Sequence, residues 1–228
     1  GAPSNRRVFA HDADPSLAAT LKFDYNTSVF APGTGCTVET VVRQLNSGND
    51  DAEEKVSGGR VSTTSSTLEL IKNGSNAQTV GVIFRDVDVP AASSTTVLNA
   101  VVEFTPRVFA AANTTSVTVT GEDSDAIAPF SSVNNNISDR ITGGAGTTAT
   151  VGPFNFPTLD TPVDAVAATP DLSLVINEIT KRAGWKSGND IALIFTGSNG
   201  ETELFSYNKD PSKAARLRLR IKYNIGDV

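Results

Sequence analysis

This sequence of 228 residues contains no methionine and only one cysteine, one histidine and one tryptophan. Each shortage closes a class of chemistry. Cys36 has no second cysteine to pair with in the chain, so it is expected as a buried thiol or as a link between chains. A zinc site of His and Cys ligands cannot be assembled from one residue of each. A Ser-His-Asp or Cys-His mechanism would have to use His11, which lies in a polar N-terminal stretch. Aromatic residues make up 7% of the chain, and three Tyr and one Trp are few for lining sugar subsites. Cations are short as well: 19 Lys and Arg stand against 25 Asp and Glu, a net charge of −6. Nucleic-acid binding needs a dominant basic face, so it is not expected. No apolar run approaches the roughly 18–20 residues of a membrane-spanning helix, so no transmembrane segment is expected. Gly143-Gly144-Ala145-Gly146 lacks the Lys-Ser/Thr of a phosphate-cradling loop. With no initiator methionine, Gly1-Ala2-Pro3-Ser4 reads as the start of a processed or excised chain.

What the chain has is β-prone texture. Short runs of Val, Thr, Ile and Phe alternate with Gly, Asn, Ser and Pro, which predicts strands near 38–45, 67–71, 78–84, 96–104, 115–120, 147–151, 190–196, 202–207 and 216–223. Ile191-Ala192-Leu193-Ile194-Phe195 is apolar throughout and is expected as a central strand. One helix interrupts the pattern, over about 170–183. Thr169 is its expected N-cap and Pro170 its first residue. Leu172, Val175, Ile176 and Ile179 make one apolar face, and Gly184 is placed just past the end. Trp185 is expected to pack against the sandwich, the alternative being an exposed ring for stacking on sugar. The fold class is therefore all-β, one domain over 37–228, preceded by an extension over 1–36. That extension carries strand-like pieces at Arg7-Val8-Phe9-Ala10 and Leu21-Lys22-Phe23-Asp24-Tyr25. They serve as an edge strand of their own domain or as a strand added to a neighbouring subunit.

Two charged constellations stand out. Asp50, Asp51, Glu53 and Glu54 place four carboxylates within five residues, and such a cluster repels itself unless a cation, a basic partner or water relieves it. Calcium takes six to eight oxygen ligands, so these four with Glu69 are the candidate calcium set, and Glu122, Asp123 and Asp125 are further oxygen donors. In an extended segment alternate residues face opposite ways, so only a loop would let all four reach one ion. The second constellation is Arg216, Arg218, Arg220 and Lys222, alternating with Leu217, Leu219, Ile221 and Tyr223. This is a strand with one buried face and one cationic face. The cationic face, with Phe23 and Tyr25, is the candidate subunit interface, and an acidic loop with a basic strand suits head-to-tail association into a filament. The sequons at Asn26, Asn73, Asn113 and Asn136 are candidate glycosylation sites, although Ser and Thr are abundant enough to produce this many by chance.

The order of these motifs resembles a known module. Asp50-Asp51-Ala52-Glu53-Glu54, Ser65-Ser66-Thr67-Leu68-Glu69-Leu70 and Gln78-Thr79-Val80-Gly81-Val82-Ile83-Phe84 follow an opening strand. Ala100-Val101-Val102-Glu103-Phe104-Thr105, Gly121-Glu122-Asp123, the helix, and Gly184-Trp185-Lys186-Ser187-Gly188-Asn189 come next, and a final strand ends at Tyr223. Over about 37–223 the chain resembles a jelly-roll module of secreted and surface proteins of bacteria and some algae. That module accompanies adhesin-like and carbohydrate-active architectures and is similar to carbohydrate-binding β-sandwiches. The resemblance implies a jelly-roll fold, an extracellular or cell-surface setting and a structural calcium near the first strands. The expected function is a non-catalytic structural protein that forms a homo-oligomer or polymer as a matrix, layer or filament. The alternative is a calcium-dependent module for glycan binding or adhesion. A glycoside hydrolase or lyase is more remote: Glu103 and Glu122 lie in or beside strands, but no motif marks a catalytic pair.

Overall fold

The structure, a computed structural model, describes residues 35–109, 115–156 and 164–227. The chain divides into a unit at Gly1–Gly33 and a unit at Thr34–Val228, and everything below concerns the second. The expectations for the N-terminal extension, including Phe23, Tyr25, Asn26 and His11, lie outside the described residues, as does Asn113.

Fourteen strands occur among the described residues. They are β1 Cys36–Gln44, β2 Asp51–Lys55, β3 Val61–Ser62, β4 Thr67–Leu70, β5 Lys72–Asn73, β6 Asn76–Phe84, β7 Thr96–Phe104 and β8 Pro106–Phe109. The rest are β9 Ser116–Glu122, β10 Gly146–Asn155, β11 Ala167–Ala168, β12 Ile191–Ser198, β13 Thr202–Phe205 and β14 Arg216–Asn224. Every pairing is antiparallel. A four-stranded sheet runs β1-β14-β7-β11, and a seven-stranded sheet runs β10-β9-β12-β6-β2-β3 with β5 on β6. A three-stranded sheet runs β4-β13-β8. This is an all-β sandwich with one short helix.

Alternation explains the layers. Leu217, Leu219 and Ile221 of β14 are buried, while Arg218, Arg220 and Lys222 are exposed, as the period-two pattern requires. The inner residues join Val97, Ala100, Val102 and Phe104 of β7, Val80, Val82 and Phe84 of β6, and Ile191, Leu193 and Phe195 of β12 in one core. β12 is apolar on both faces because both are covered. Ala192 and Ile194 belong to a second cluster with Ile83, Ala52, Phe130 and Ile137 on the far side of the large sheet. Gly81 permits this layer, since a Cβ there would clash with the Phe130 ring.

The helix is α1, Ser173–Thr180, shorter than expected at both ends. Its N-cap is Leu172 rather than Thr169, because the Thr169 hydroxyl instead accepts from the Val102 N–H at 3.1 Å. Asp171 accepts from the Ser173 N–H at 2.9 Å and ties the helix to β7 through the Ala100 N–H, also at 2.9 Å. The expected apolar face holds, with Leu172, Val175, Ile176 and Ile179 all buried. Trp185 is buried too, and its indole N–H donates to the Val89 carbonyl at 3.0 Å. Cys36 is not a buried thiol: it is exposed at the start of edge strand β1. No described helix is long and apolar enough to cross a membrane.

Candidate functional site

The carboxylate cluster is a strand, not a loop. β2 lies between β3 and β6, and pairing with β6 puts Asp51 opposite Val82 and Glu53 opposite Val80. Antiparallel partners share a face, so Asp51 and Glu53 point to the same side as the core valines. Ala52 and Glu54 point to the other side, under the 127–141 segment. All four acidic residues of the cluster are buried, at 2% exposure for Asp50, 1% for Asp51, 8% for Glu53 and 2% for Glu54. They therefore offer no acidic surface to the cationic face of another copy, and the head-to-tail contact expected from the sequence loses its acidic half.

Each carboxylate has its own surroundings. Asp50 accepts from Arg85 through Nε at 2.8 Å and Nη2 at 2.5 Å. The same guanidinium donates to Asp190 at 2.6 Å and to the Ile127 carbonyl at 3.0 Å. Burial works against the Arg85 charge, but Asp50 and Asp190 more than offset it and hold its pKa above the usual arginine range. Glu54 Oε2 accepts from the N–H groups of Ile137 at 2.8 Å and Ser138 at 3.0 Å, where the chain enters a short 3-10 turn over Ser138–Arg140. Asp51 Oδ2 accepts from the Tyr207 N–H at 2.7 Å, while its Oδ1 is buried without a partner. Glu53 Oε2 accepts from the Glu69 N–H at 3.1 Å, and Glu69 Oε1 accepts from the Thr67 hydroxyl at 2.6 Å. Glu69 Oε2 is again buried and unpartnered.

The candidate calcium set is thus divided among three environments. Asp50 belongs to Arg85, Glu54 to the Ile137 turn, and Asp51, Glu53 and Glu69 to the side of β2 facing β4. Among the described residues no three acidic side chains converge closely enough to hold a metal ion. The arrangement does not fit a cation that takes six to eight oxygens around one centre. The further oxygen donors are also engaged: Glu122 pairs with Arg140 at 2.8 Å, and Asp123 and Asp125 pair with Arg182 at 2.8 and 3.2 Å. Arg140 also lies 4.5 Å from the Phe130 ring centroid, which closes the cover over the outer cluster. The sequence reading missed Arg85 and Arg140, and it set Arg182 against the helix C-terminal dipole without its pairing to Asp123 and Asp125. A lone arginine in a turn carries no periodic signal, and only the fold brings each to its acid.

Glu54 gives a direct test of this anchoring. Glu54→Ala leaves two backbone donors without their acceptor, so a loss of about 1–3 kcal/mol is expected by urea denaturation. Hydrogen exchange over 127–141 should speed up more than exchange in β14. Equal acceleration in both places would mean that Glu54 does not hold this segment.

The cationic strand divides in two. Arg216 and Arg218 both bind Glu103 on β7, at 2.6 and 2.9 Å. Burial opposes ionisation of Glu103, but the hydrogen bonds from Arg218 and Arg216 outweigh it and hold its carboxyl below the usual range. Arg220 and Lys222 are exposed and form no ion pair among the described residues. Val38 at 45%, Val42 at 37% and Leu98 at 40% exposure lie beside them on β1 and β7. Glu103 and Glu122, the acids considered for glycoside chemistry, are each bound to arginine and sit in different sheets. Asn73 is exposed on β5, whereas Asn136 is half-buried with its Oδ1 accepting from the Ser131 N–H at 2.9 Å. No protein-family model and no curated protein matches the chain.

Proposed function

We propose that this chain is a non-catalytic extracellular structural protein that self-associates into a matrix, layer or filament by strand addition at β1. The observation that carries the reading is the outer edge of that strand, which is unpaired among the described residues. β1 is nine residues long and among the described residues pairs with β14 alone, and Val38, Val41 and Val42 give it strong β character. A long edge of unpaired backbone groups is a template for another strand. The donor is the alternating segment Leu21-Lys22-Phe23-Asp24-Tyr25 of a neighbouring copy, which closes the edge through backbone hydrogen bonds and side-chain pockets. Arg220 and Lys222, with the exposed valines, flank this contact. The sandwich is read as a jelly-roll module because its last long strand, β14, lies between its first strand and β7. The extracellular setting rests on the resemblance.

Size-exclusion chromatography with light scattering tests the proposal. Unaltered protein is expected to run as oligomers or polymer, with or without chelator. Val38→Lys combined with Val42→Lys charges the edge and is expected to shift it to monomer, as is deletion of residues 1–33. Assembly that survives both changes would sink strand addition, and dissolution by chelator alone would favour a metal-dependent contact.

A further inference from the structure

Three buried carboxyl groups line the face of β2 turned to β4 and to Tyr207 just past β13, and none is paired with a cation among the described residues. Asp51 and Glu53 share one face of β2, and Glu69 faces Glu53 from β4. Their residue exposures are 1%, 8% and 7%. No ion pair among the described residues involves any of the three. The surrounding charges are already committed or, like Lys55 on the same face of β2, form no ion pair with the three among the described residues. Asp50 is held by Arg85. Glu203, opposite Glu69 on β13, pairs with Arg107 of β8 at 3.4 Å. Lys55 ends β2 and Lys72 lies on β5, while Gln78 of β6 has a buried oxygen without a partner. An ionised carboxylate buried without a partner costs several kcal/mol, so such a group takes up a proton instead. Two carboxyls in contact share one proton for the same reason.

We infer that Asp51, Glu53 and Glu69 form a proton-binding seam that fastens the seven-stranded sheet to the three-stranded sheet and loosens when its protons leave. The unpartnered Asp51 Oδ1 and Glu69 Oε2 are oxygens that a proton would occupy or face. Burial pushes Asp51 up to about 7; the Tyr207 N–H works against this and the neighbouring Asp50 charge adds to it. Burial, and then the shared hydrogen bond with Glu69, push Glu53 up to about 8. Burial also acts against Glu69, but hydrogen bonds from Glu53 and Thr67 hold it below the usual range, so it is the ionised member of the pair.

The direction of the pH effect follows. The ordinary values are 3.8 for Asp51 and 4.5 for Glu53, so between those values and about 7 to 8 the folded chain holds more protons than the unfolded chain. Their stabilising contribution is fully present below about pH 4 and is lost as pH rises through 7 and 8. Glu69, Glu103, Asp171 and Glu178, all held below their usual range, act oppositely and lose their contribution only in acid. The fold is thus favoured in mildly acidic medium and weakened in alkaline medium.

Trp185, the single buried tryptophan, reports unfolding of the full chain by fluorescence. In urea with chelator present, the unfolding constant is expected to rise at least about a hundredfold from pH 5.5 to pH 9. Glu53→Gln keeps the shape and can donate to Glu69, so it is expected to flatten this dependence and to be more stable than the unaltered protein at pH 9. Asp51→Asn is the second variant, and flattens the part of the profile near pH 7. The infrared carbonyl band of a protonated carboxyl should be present at pH 6 in the unaltered protein and reduced in each variant, which a merely structural role would not produce. A flat profile, or variants as pH-sensitive as the parent, overturns the inference. So does saturable calcium binding that restores stability at pH 9, because a cation would then be the counter-charge. These measurements read folding rather than assembly, so they succeed or fail independently of strand addition.

Discussion

Arg85→Met is expected to destabilise the protein by about 3–5 kcal/mol, the range for removing one partner of a buried ion pair. Methionine replaces much of the side-chain stem but none of its donors. Asp50, 2% exposed, then keeps a buried charge with no counter-ion, and the Ile127 carbonyl and Asp190 lose their shared donor. These contacts join the start of β2, the end of β6, the 127 segment and the turn before β12, so the loss is felt across the large sheet. Urea denaturation at pH 7 measures it. Asp50→Asn in the same chain should recover a large part, because it removes the stranded charge, and the four proteins form a double-mutant cycle. Arg220→Met is the comparison: that arginine is exposed and unpaired among the described residues, and a change within about 0.5 kcal/mol is expected. A loss below about 1 kcal/mol for Arg85→Met would show that water already serves Asp50.

Phe104→Ala is expected to cost about 3–5 kcal/mol, the usual range for emptying a buried phenylalanine site. The ring is 1% exposed and packs edge-on against Phe195 at 5.3 Å and Phe156 at 5.8 Å. It therefore joins β7 of the four-stranded sheet to β12 of the seven-stranded sheet, and a smaller residue leaves a void between layers that strand pairing cannot close. Thermal unfolding followed by Trp185 fluorescence gives the loss. One transition is expected in parent and variant, since a single cluster of buried side chains spans both sheets. Two separated transitions would mean that the sheets unfold independently. Leu98→Ala, six residues away on the same strand and 40% exposed, should change stability by only about 0.5 kcal/mol.

Much of the fold was legible because burial imposes a period on a strand. The expected strand at 96–104 matches β7, and 216–223 matches β14 to within a residue, since alternate apolar residues report a sheet with one covered face. The apolar run at 191–195 marked a strand covered on both faces. β2 was not legible. Asp51-Ala52-Glu53-Glu54-Lys55 has neither β-branched residues nor an apolar period, and its place in the sheet depends on partners far along the chain. The helix start was misplaced for a related reason: Thr169 and Asp171 are both good capping residues, and β7 claims the Thr169 hydroxyl.

By itself, then, the sequence determined an all-β chain with one helix, a cationic strand face and an acidic cluster too dense to stand in isolation, because composition and period act locally. Only the tertiary structure decided what the cluster is. Pairing with β6 turned it into a buried strand, alternation sent its carboxylates to opposite sides, and Arg85, the Ile137 turn and Glu69 reached them from positions 16 to 83 residues further along the chain. Counter-charges and shared protons come from neighbours in space, and local sequence does not carry that information.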